Sequence, residues 1–373
     1  MATRVEIHEL TESDLVDIRS FQQQQTIATA PALLPHSDPE STAADLAMSH
    51  WYLFDNPEAT ADLPKGFVAR NDSGQVVGVK QCSPQRFGCG EQEFVLLCGG
   101  GYYVDQAYRG VGLRLLRAYL ESEDRVSHFA STMNEVSGAL YERYGGYAIP
   151  HTEHEMVGVL RWPPFLEEVL QRRLGRSVLS RLAAWPAALL PARVGRSGQG
   201  RLDEVRDPDA LDALGIQTPP EHANELSAVR SPRFLRWRYF EGPDRTRRVF
   251  VYESPAGDRV LVTGRLDARG HRRQMRTFSV LDYWGAAPQS AIADVARLLA
   301  ARFRDEIDML VLRGQPPGRQ SELASAGFMR RPLARAIGVC IDRAQRLPTR
   351  DWYLVPADGD TSTGRSAAES VHR

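Results

Sequence analysis

Residues 103 to 120, YVDQAYRGVGLRLLRAYL, have the order and composition of an anion-binding loop. A strand running to Val104 gives way to a loop holding Arg109, Gly110, Val111 and Gly112. That loop opens directly into an amphipathic helix with apolar Leu113, Leu115, Leu116 and Leu120. The first N–H groups of a helix stand at the positive end of its dipole, so such a loop suits a phosphate or pyrophosphate. Glycines at 110 and 112 let the backbone approach the anion closely. The spacing is neither G-x-G-x-x-G nor G-x-x-x-x-G-K-[ST], which argues against a dinucleotide fold or a P-loop. A nucleophilic thiol is a second chemistry to weigh, because Cys98 falls on the strand leading into the loop. Nothing in the sequence supplies a partner to lower its pKa, and a buried inert thiol is the expected reading.

The loop resembles the acetyl-CoA-binding motif of the GNAT superfamily of N-acetyltransferases, Arg/Gln-x-x-Gly-x-Gly/Ala after the fourth strand. Arg109 and Gly112 stand at its first and fourth positions. Arg114 occupies the place where Gly or Ala is usual, and a long side chain there either reaches the phosphates or narrows the loop. Residues 134–147, NEVSGALYERYGGY, are similar to the superfamily's later motif: Asn, a helix bearing Tyr, then Gly-Phe. Tyr141 stands seven positions after Asn134, as that motif requires. The resemblance implies an acyl-CoA, acetyl-CoA in the first instance, held at Val104, Arg109, Gly110, Val111, Gly112, Leu113, Arg114 and Asn134. It also implies that backbone N–H near Val104 polarises the thioester carbonyl and that Tyr141 protonates the departing thiolate, a general-acid role. Read from the residues alone, Tyr141 also fits a packed helix ring and Asn134 an N-cap. No base for the attacking amine stands out. Glu93, Glu153, His151 and His154 lie near strand ends, where surface exposure is the plainer expectation.

The elements that must position these residues occur twice. Segment 51–57, WYLFDNP, lines up with 237–243, WRYFEGP, and 66–74, GFVARNDSG, with 249–257, VFVYESPAG. Each copy continues as a strand, a glycine-containing turn and a second strand, at 67–70 to 76–80 and 249–252 to 260–265. After the first hairpin the pattern predicts a strand over 93–104, a helix over 110–122, a strand over 126–133, a helix over 135–144 and a strand over 155–160. After the second it predicts the same order over 275–281, 290–303, 309–313, 320–326 and 336–341. The expected fold class is a mixed α/β sheet, as two tandem GNAT-like domains. The expected boundaries are 1–160 with the acyl-CoA site, 161–200 as a helical connector, 201–345 as a degenerate copy and 346–373 as a tail, disordered from about 356. In the second copy the phosphate loop is replaced by 281–288, LDYWGAAP, and Glu322 falls opposite Tyr141 when Ala326 and Gly327 are matched to Gly145 and Gly146. Trp51 and Trp237 are expected as core anchors rather than a base-stacking platform.

The bulk numbers exclude several classes. A chain of 373 residues has length for two cores, and 46 basic against 47 acidic residues leave no field to draw it onto nucleic acid. Four cysteines, Cys82, Cys89, Cys98 and Cys340, match neither a disulfide framework nor zinc spacing, so no metal is expected and the thiols are read as cytoplasmic. The opening MATRVEIHELTESDL lacks a basic region followed by an apolar run, and no signal peptide is expected there. Between the halves, Arg161, Arg172, Arg173, Arg176, Arg181, Arg193 and Arg196 interleave with Trp185 and leucines. A basic element lying on a membrane and a packed connector both fit, and Pro163, Pro164, Pro186 and Pro191 favour the connector. The expected function is acyl-CoA-dependent N-acylation of a small-molecule amine. Two alternatives are an aminoacyl-tRNA-dependent peptidyltransferase, which also pairs GNAT-like halves but needs no pyrophosphate loop, and a non-catalytic acyl-CoA sensor.

Overall fold

The protein was analysed as a computed structural model, which describes residues 4–29, 39–122, 126–131, 133, 135–174, 194–195, 197–215, 223–269, 275–333, 338–343 and 345–358. The first half contributes β1 (Val5–Glu9), β2 (Gly66–Asn71), β3 (Val76–Cys89), β4 (Gln92–Val104), β5 (Ser127–Ala130), β6 (Tyr147–Ala148) and β7 (His154–Val159). Its helices are α1 (Leu15–Thr29), α2 (Pro39–Leu53), α3 (Arg109–Glu121) and α4 (Glu135–Arg143), and α5 (Trp162–Leu174) follows them. The second half contributes β8 (Arg201–Val205), β9 (Leu226–Ala228), β10 (Arg247–Glu253), β11 (Arg259–Arg269), β12 (Met275–Trp284), β13 (Met309–Arg313), β14 (Met329–Pro332), β15 (Val339–Ile341) and β16 (Trp352–Tyr353). Helices Ala291–Arg302 and Pro317–Ser325 flank β13 in the chain.

The strands build two sheets of matching order: β1-β2-β3-β4-β5-β15-β6, and β8-β10-β11-β12-β13-β7-β14. The sixth strand of each is supplied by the other half of the chain. Strand β7 lies antiparallel to β13, from Val159 opposite Met309 to Glu155 opposite Arg313, and its other edge takes β14. In return β15 lies between β5 and β6. An inner strand is covered on both faces and so is apolar on both, which is why Met156, Val157 and Val159 are all buried. Gly158 admits the Phe328 ring, since a Cβ there would come within 2.7 Å of it. The division at residue 160 therefore follows chain order but not the sheets: residues 154–159 complete the second sheet and 339–341 the first.

The halves also share a core. Trp51 and Trp237, the heads of the two repeat copies, stack on each other with ring centroids 4.7 Å apart. Around them Leu53, Val68 and Val79 of the first half meet Val249, Leu261 and Leu281 of the second. The expectation of core anchors holds for both tryptophans. From β15 the chain runs on to β16, which pairs with β9, while β9 pairs with the far end of β3. Pro356–Asp358 then forms a 3-10 turn with Ala357 and Asp358 buried. Disorder from about 356 is thus corrected at its start: Trp352, Tyr353, Leu354 and Val355 are apolar enough to hold the segment through Asp358 in the core. Of the connector, α5 is described. The side chains of Arg172 and Arg173, and residues Arg176, Arg181, Arg193 and Arg196, lie outside the described residues. Among the described residues no helix is long and apolar enough to cross a membrane.

Candidate active site

Strand β4 is irregular where the chemistry is expected. Its register against β3 slips between Lys80, opposite Tyr102, and Gln81, opposite Gly100, which leaves Gly101 as an extra residue in a bulge. Only glycine suits that position: its φ is +45°, and a Cβ there would strike the Gln81 side chain. On the other edge β4 pairs in parallel with β5 from Leu96–Ser127 to Cys98–Phe129. Beyond that pair the two strands part, and residues 101–104 are half-buried rather than enclosed.

Three polar side-chain tips converge at the parting point. A Cβ on Gly99 would lie 2.7 Å from Lys80 Nζ and 3.0 Å from both Tyr119 Oη and Tyr141 Oη. Tyr119 donates to the Leu97 carbonyl at 2.8 Å, and Lys80 donates to the Gly100 carbonyl at 3.2 Å. The Lys80 ammonium also lies 5.0 to 6.0 Å from the ring centroids of Tyr102, Tyr119 and Tyr141. Lys80 is 2% exposed and Tyr141 1%. Tyr141 is fixed from its own helix: α4 closes on Gly145, with φ +83°, and the Gly146 N–H donates to the Tyr141 carbonyl at 2.9 Å. Lys80 was not singled out from the sequence. The signal was there as a lone charge at an inward-facing position of an apolar strand, VVGVKQC.

The expected phosphate loop forms the N-terminus of α3. Asp105 accepts from the Ala107 N–H at 2.8 Å and turns the chain through Gln106–Tyr108 into the helix. Val111, Gly112, Leu115, Leu116, Tyr119 and Leu120 form its buried stripe, and α3 rides close on β3 because Gly78 carries no side chain against Leu115. Arg109, Gly110, Leu113 and Arg114 are exposed. The Arg114 guanidinium donates to the Val5 carbonyl at 3.0 Å, so this departure from the motif is tied back to β1 rather than laid across the loop. Val104 stands at the loop end of β4, opposite Gly78. It is four residues from Gly100, roughly 13 Å along a strand. Tyr141 and the Val104 amide therefore do not converge on one carbonyl, which corrects the role expected for Val104. Asn134 lies outside the described residues.

The remaining candidates sit elsewhere. Glu93 is exposed beside Arg86, and Glu153 and His154, 3.0 Å apart, lie at the start of β7 in the second sheet. Half-buried His151 precedes them with φ +64°. Cys98 is buried among Phe87, Leu96 and Phe129, and burial pushes the Cys82 thiol up to about 12, which leaves it protonated. Burial also lowers His128, on β5, to about 4. A histidine depressed from 6.5 stabilises the fold fully above pH 6.5, and that contribution is lost as pH falls toward 4, roughly 3 kcal/mol in all. His128→Asn is expected to flatten the fall in urea midpoint between pH 6.5 and 4. An unchanged slope would show that His128 is not held neutral.

The second sheet repeats the frame without the chemistry. Strand β12 has its own slip, between Thr263 and Gly264 of β11, which leaves Leu281 as the extra residue. Counting from the two bulges, Thr263 stands for Lys80 and Ser279 for Gly99. Here β12 and β13 stay paired to Val280–Leu312, closer to the bulge than β4 and β5 do. The gap beyond is filled by the chain itself. The Tyr353 hydroxyl donates to the Tyr283 carbonyl at 2.5 Å, and Leu354 crosses Gly314 so closely that a Cβ there would strike its carbonyl.

No protein-family model and no curated protein matches this sequence. Solved structures do match. A conserved protein from Enterococcus faecalis V583, described as a probable N-acyltransferase, aligns 91% of this chain with 72% of its own at 11% identity and a TM-score of 0.54. A GCN5-related N-acetyltransferase from Kribbella flavida aligns 90% with 71% at 12% identity and 0.51. Saccharomyces cerevisiae N-myristoyltransferase, solved with myristoyl-CoA, aligns 91% with 78% at 12% identity and 0.50. The chain has the fold of the GCN5-related N-acetyltransferases, in tandem.

Proposed function

We propose that the protein is an acyl-CoA-dependent N-acyltransferase that uses acetyl-CoA to acylate the amine of a small molecule by direct transfer. A single donor site is placed in the first sheet, where β4 and β5 part. The observation that carries this reading is the convergence of Tyr141 Oη on Gly99, beside a glycine bulge and on the strand that leads into the α3 N-terminus. The structural neighbours named above are N-acyltransferases or are described as probable ones. The residues fit the donor: the N–H groups of Arg109, Gly110, Val111 and Gly112 suit a pyrophosphate, with exposed Arg109 and Leu113 beside them. Asn134 is kept on the motif alone. Bound there, an acyl-CoA supplies an activated thioester carbonyl and a thiol leaving group. Backbone N–H at the Gly100–Gly101 bulge takes the polarising role first expected near Val104, and Tyr141 gives its proton to the leaving sulfur. The amine arrives neutral and sheds its proton to solvent. We place the protein in the cytoplasm, on four cysteines that all remain thiols.

Titration calorimetry with acetyl-CoA is expected to show one site per chain, because the second gap is filled by residues 353–355. Gly112→Asp sets a carboxylate at the anion site and a Cβ 3.0 Å from Tyr102 Oη, and is expected to weaken binding roughly 10- to 100-fold. Two equivalent sites would overturn the filled second half, and unchanged affinity in Gly112→Asp would remove the loop from the donor site. Intact mass spectrometry of amines incubated with protein and acetyl-CoA then identifies the acceptor.

A further inference from the structure

We propose that Lys80 is a positioning residue acting through Tyr141: its buried ammonium makes the Tyr141 phenol a strong enough acid to protonate the leaving thiolate. The inference rests on the acyltransferase reading and names a residue that the GNAT motifs do not contain. The difficulty that Lys80 resolves is one of matching acids. A phenol titrates near 10 and a thiol near 8.5, so a proton passing from tyrosine to thiolate runs uphill by roughly 1.5 units. Burial alone makes a phenol weaker still. Tyr119 shows the direction: burial holds its phenol well above the ordinary value, and its proton is committed to the Leu97 carbonyl. An opposite charge within about 4–6 Å favours the ionised form by about 1–3 units. Lys80 Nζ and Tyr141 Oη both lie within 3.0 Å of the same point above Gly99.

The proton and charge balance through this pair. The Oη–H bond of Tyr141 breaks as the S–H bond forms, and the electron pair stays on a phenolate beside the Lys80 ammonium. The phenolate then regains a proton from solvent, which has taken up the one shed by the acceptor nitrogen. A second observation points the same way. In the second half, where the gap is filled, Lys80 is replaced by buried Thr263. The helix ends pair Gly327, with φ +95°, with Gly145, and the Phe328 N–H on the Leu323 carbonyl with the Gly146 N–H on that of Tyr141. Buried Leu323 rather than Glu322 therefore stands for Tyr141, and the cation and the phenol are absent together.

The neighbours stay silent across the working range. Cys82 from β3, Tyr102 from β4 and Cys340 from β15 are each held at about 12 by burial, Tyr119 from α3 is higher still, and His128 from β5 is near 4. Cys98 from β4 and Tyr144, which follows α4, pack in the same cores. The test is carbon-13 NMR of the full chain labelled at tyrosine Cζ, with the Tyr141 signal identified by its loss in Tyr141→Phe. Tyr141 is expected to titrate at least about one pH unit lower in the wild type than in Lys80→Met, with Lys80→Arg close to the wild type. Should Lys80→Met fail to fold, Lys80→Gln gives the same comparison. A Tyr141 that titrates alike with and without the lysine charge, or that stays neutral past pH 11 in the wild type, overturns the proposal. Acetyl-CoA calorimetry on the same samples separates the two ideas. Absent binding in the wild type refutes the acyltransferase reading, whatever the titration shows.

Discussion

Tyr141→Phe is expected to lower turnover by ~100- to 10,000-fold while leaving acetyl-CoA affinity and thermal stability nearly unchanged. The split follows from the packing. The ring of Tyr141 is buried in one cluster with Leu97, Leu116, Ala130 and Val339, packing that phenylalanine keeps. What is lost is the hydroxyl at Gly99. Without a proton donor there the leaving group departs as a free thiolate, about seven units less basic than hydroxide but still a costly charge in a site walled by tyrosine rings. The measurement is release of CoA under saturating acceptor, with calorimetry on the same preparation. Unchanged turnover would show that water or another group protonates the sulfur. A loss of affinity in step with turnover would place Tyr141 in binding rather than chemistry.

The parts of this site that were legible in the sequence are those set by local order. The turn at Asp105 and the stripe of Val111, Leu115, Leu116, Tyr119 and Leu120 mark α3 by spacing alone, and the Tyr141 helix ends at its glycines as the pattern predicts. The bulge at Gly101 left a trace, the run Gly99, Gly100 and Gly101, but a glycine run does not say which strand slips against which. The exchange of β7 and β15 was not legible. Both are short apolar segments that suit an inner strand, and periodicity within a strand carries no information about which sheet takes it. For the same reason the start of the C-terminal segment was misjudged. Composition after Asp358 is small and polar, but Trp352–Val355 is a run of large apolar residues whose partners lie 70 or more positions earlier, at Tyr283 and in β9. Lys80 was missed because a single lysine on a strand ordinarily faces water.

Arg230→Met is expected to destabilise the protein by about 3–5 kcal/mol, the usual loss when one partner of a buried ion pair is removed. Arg230 is buried, with its guanidinium 3.1 Å from Asp282 on β12 and 2.6 Å from Asp358 in the C-terminal turn. It lies 4.6 Å from the centre of the Trp284 ring. Asp358 in turn accepts from the Val355 N–H at 2.8 Å, so a single cation ties the segment that fills the second half to the strand it covers. Two carboxylates share this one arginine, and burial raises Asp358 to about 7 against the pull of Arg230. The sign follows from that shift. An aspartate raised from 3.8 stabilises the fold fully below pH 3.8, and its contribution is lost as pH rises toward 7. Removing the cation leaves both carboxylates buried without it, so the deficit of Arg230→Met is expected to be larger at pH 8 than at pH 5. Asp358→Asn in the same chain relieves part of it. Urea denaturation of the two variants at both pH values, with hydrogen exchange over residues 352–358, checks the account. Faster exchange confined to that segment, together with the pH-dependent deficit, supports the tie, and a change within 0.5 kcal/mol at both pH values, the scale of an ordinary surface substitution, refutes it.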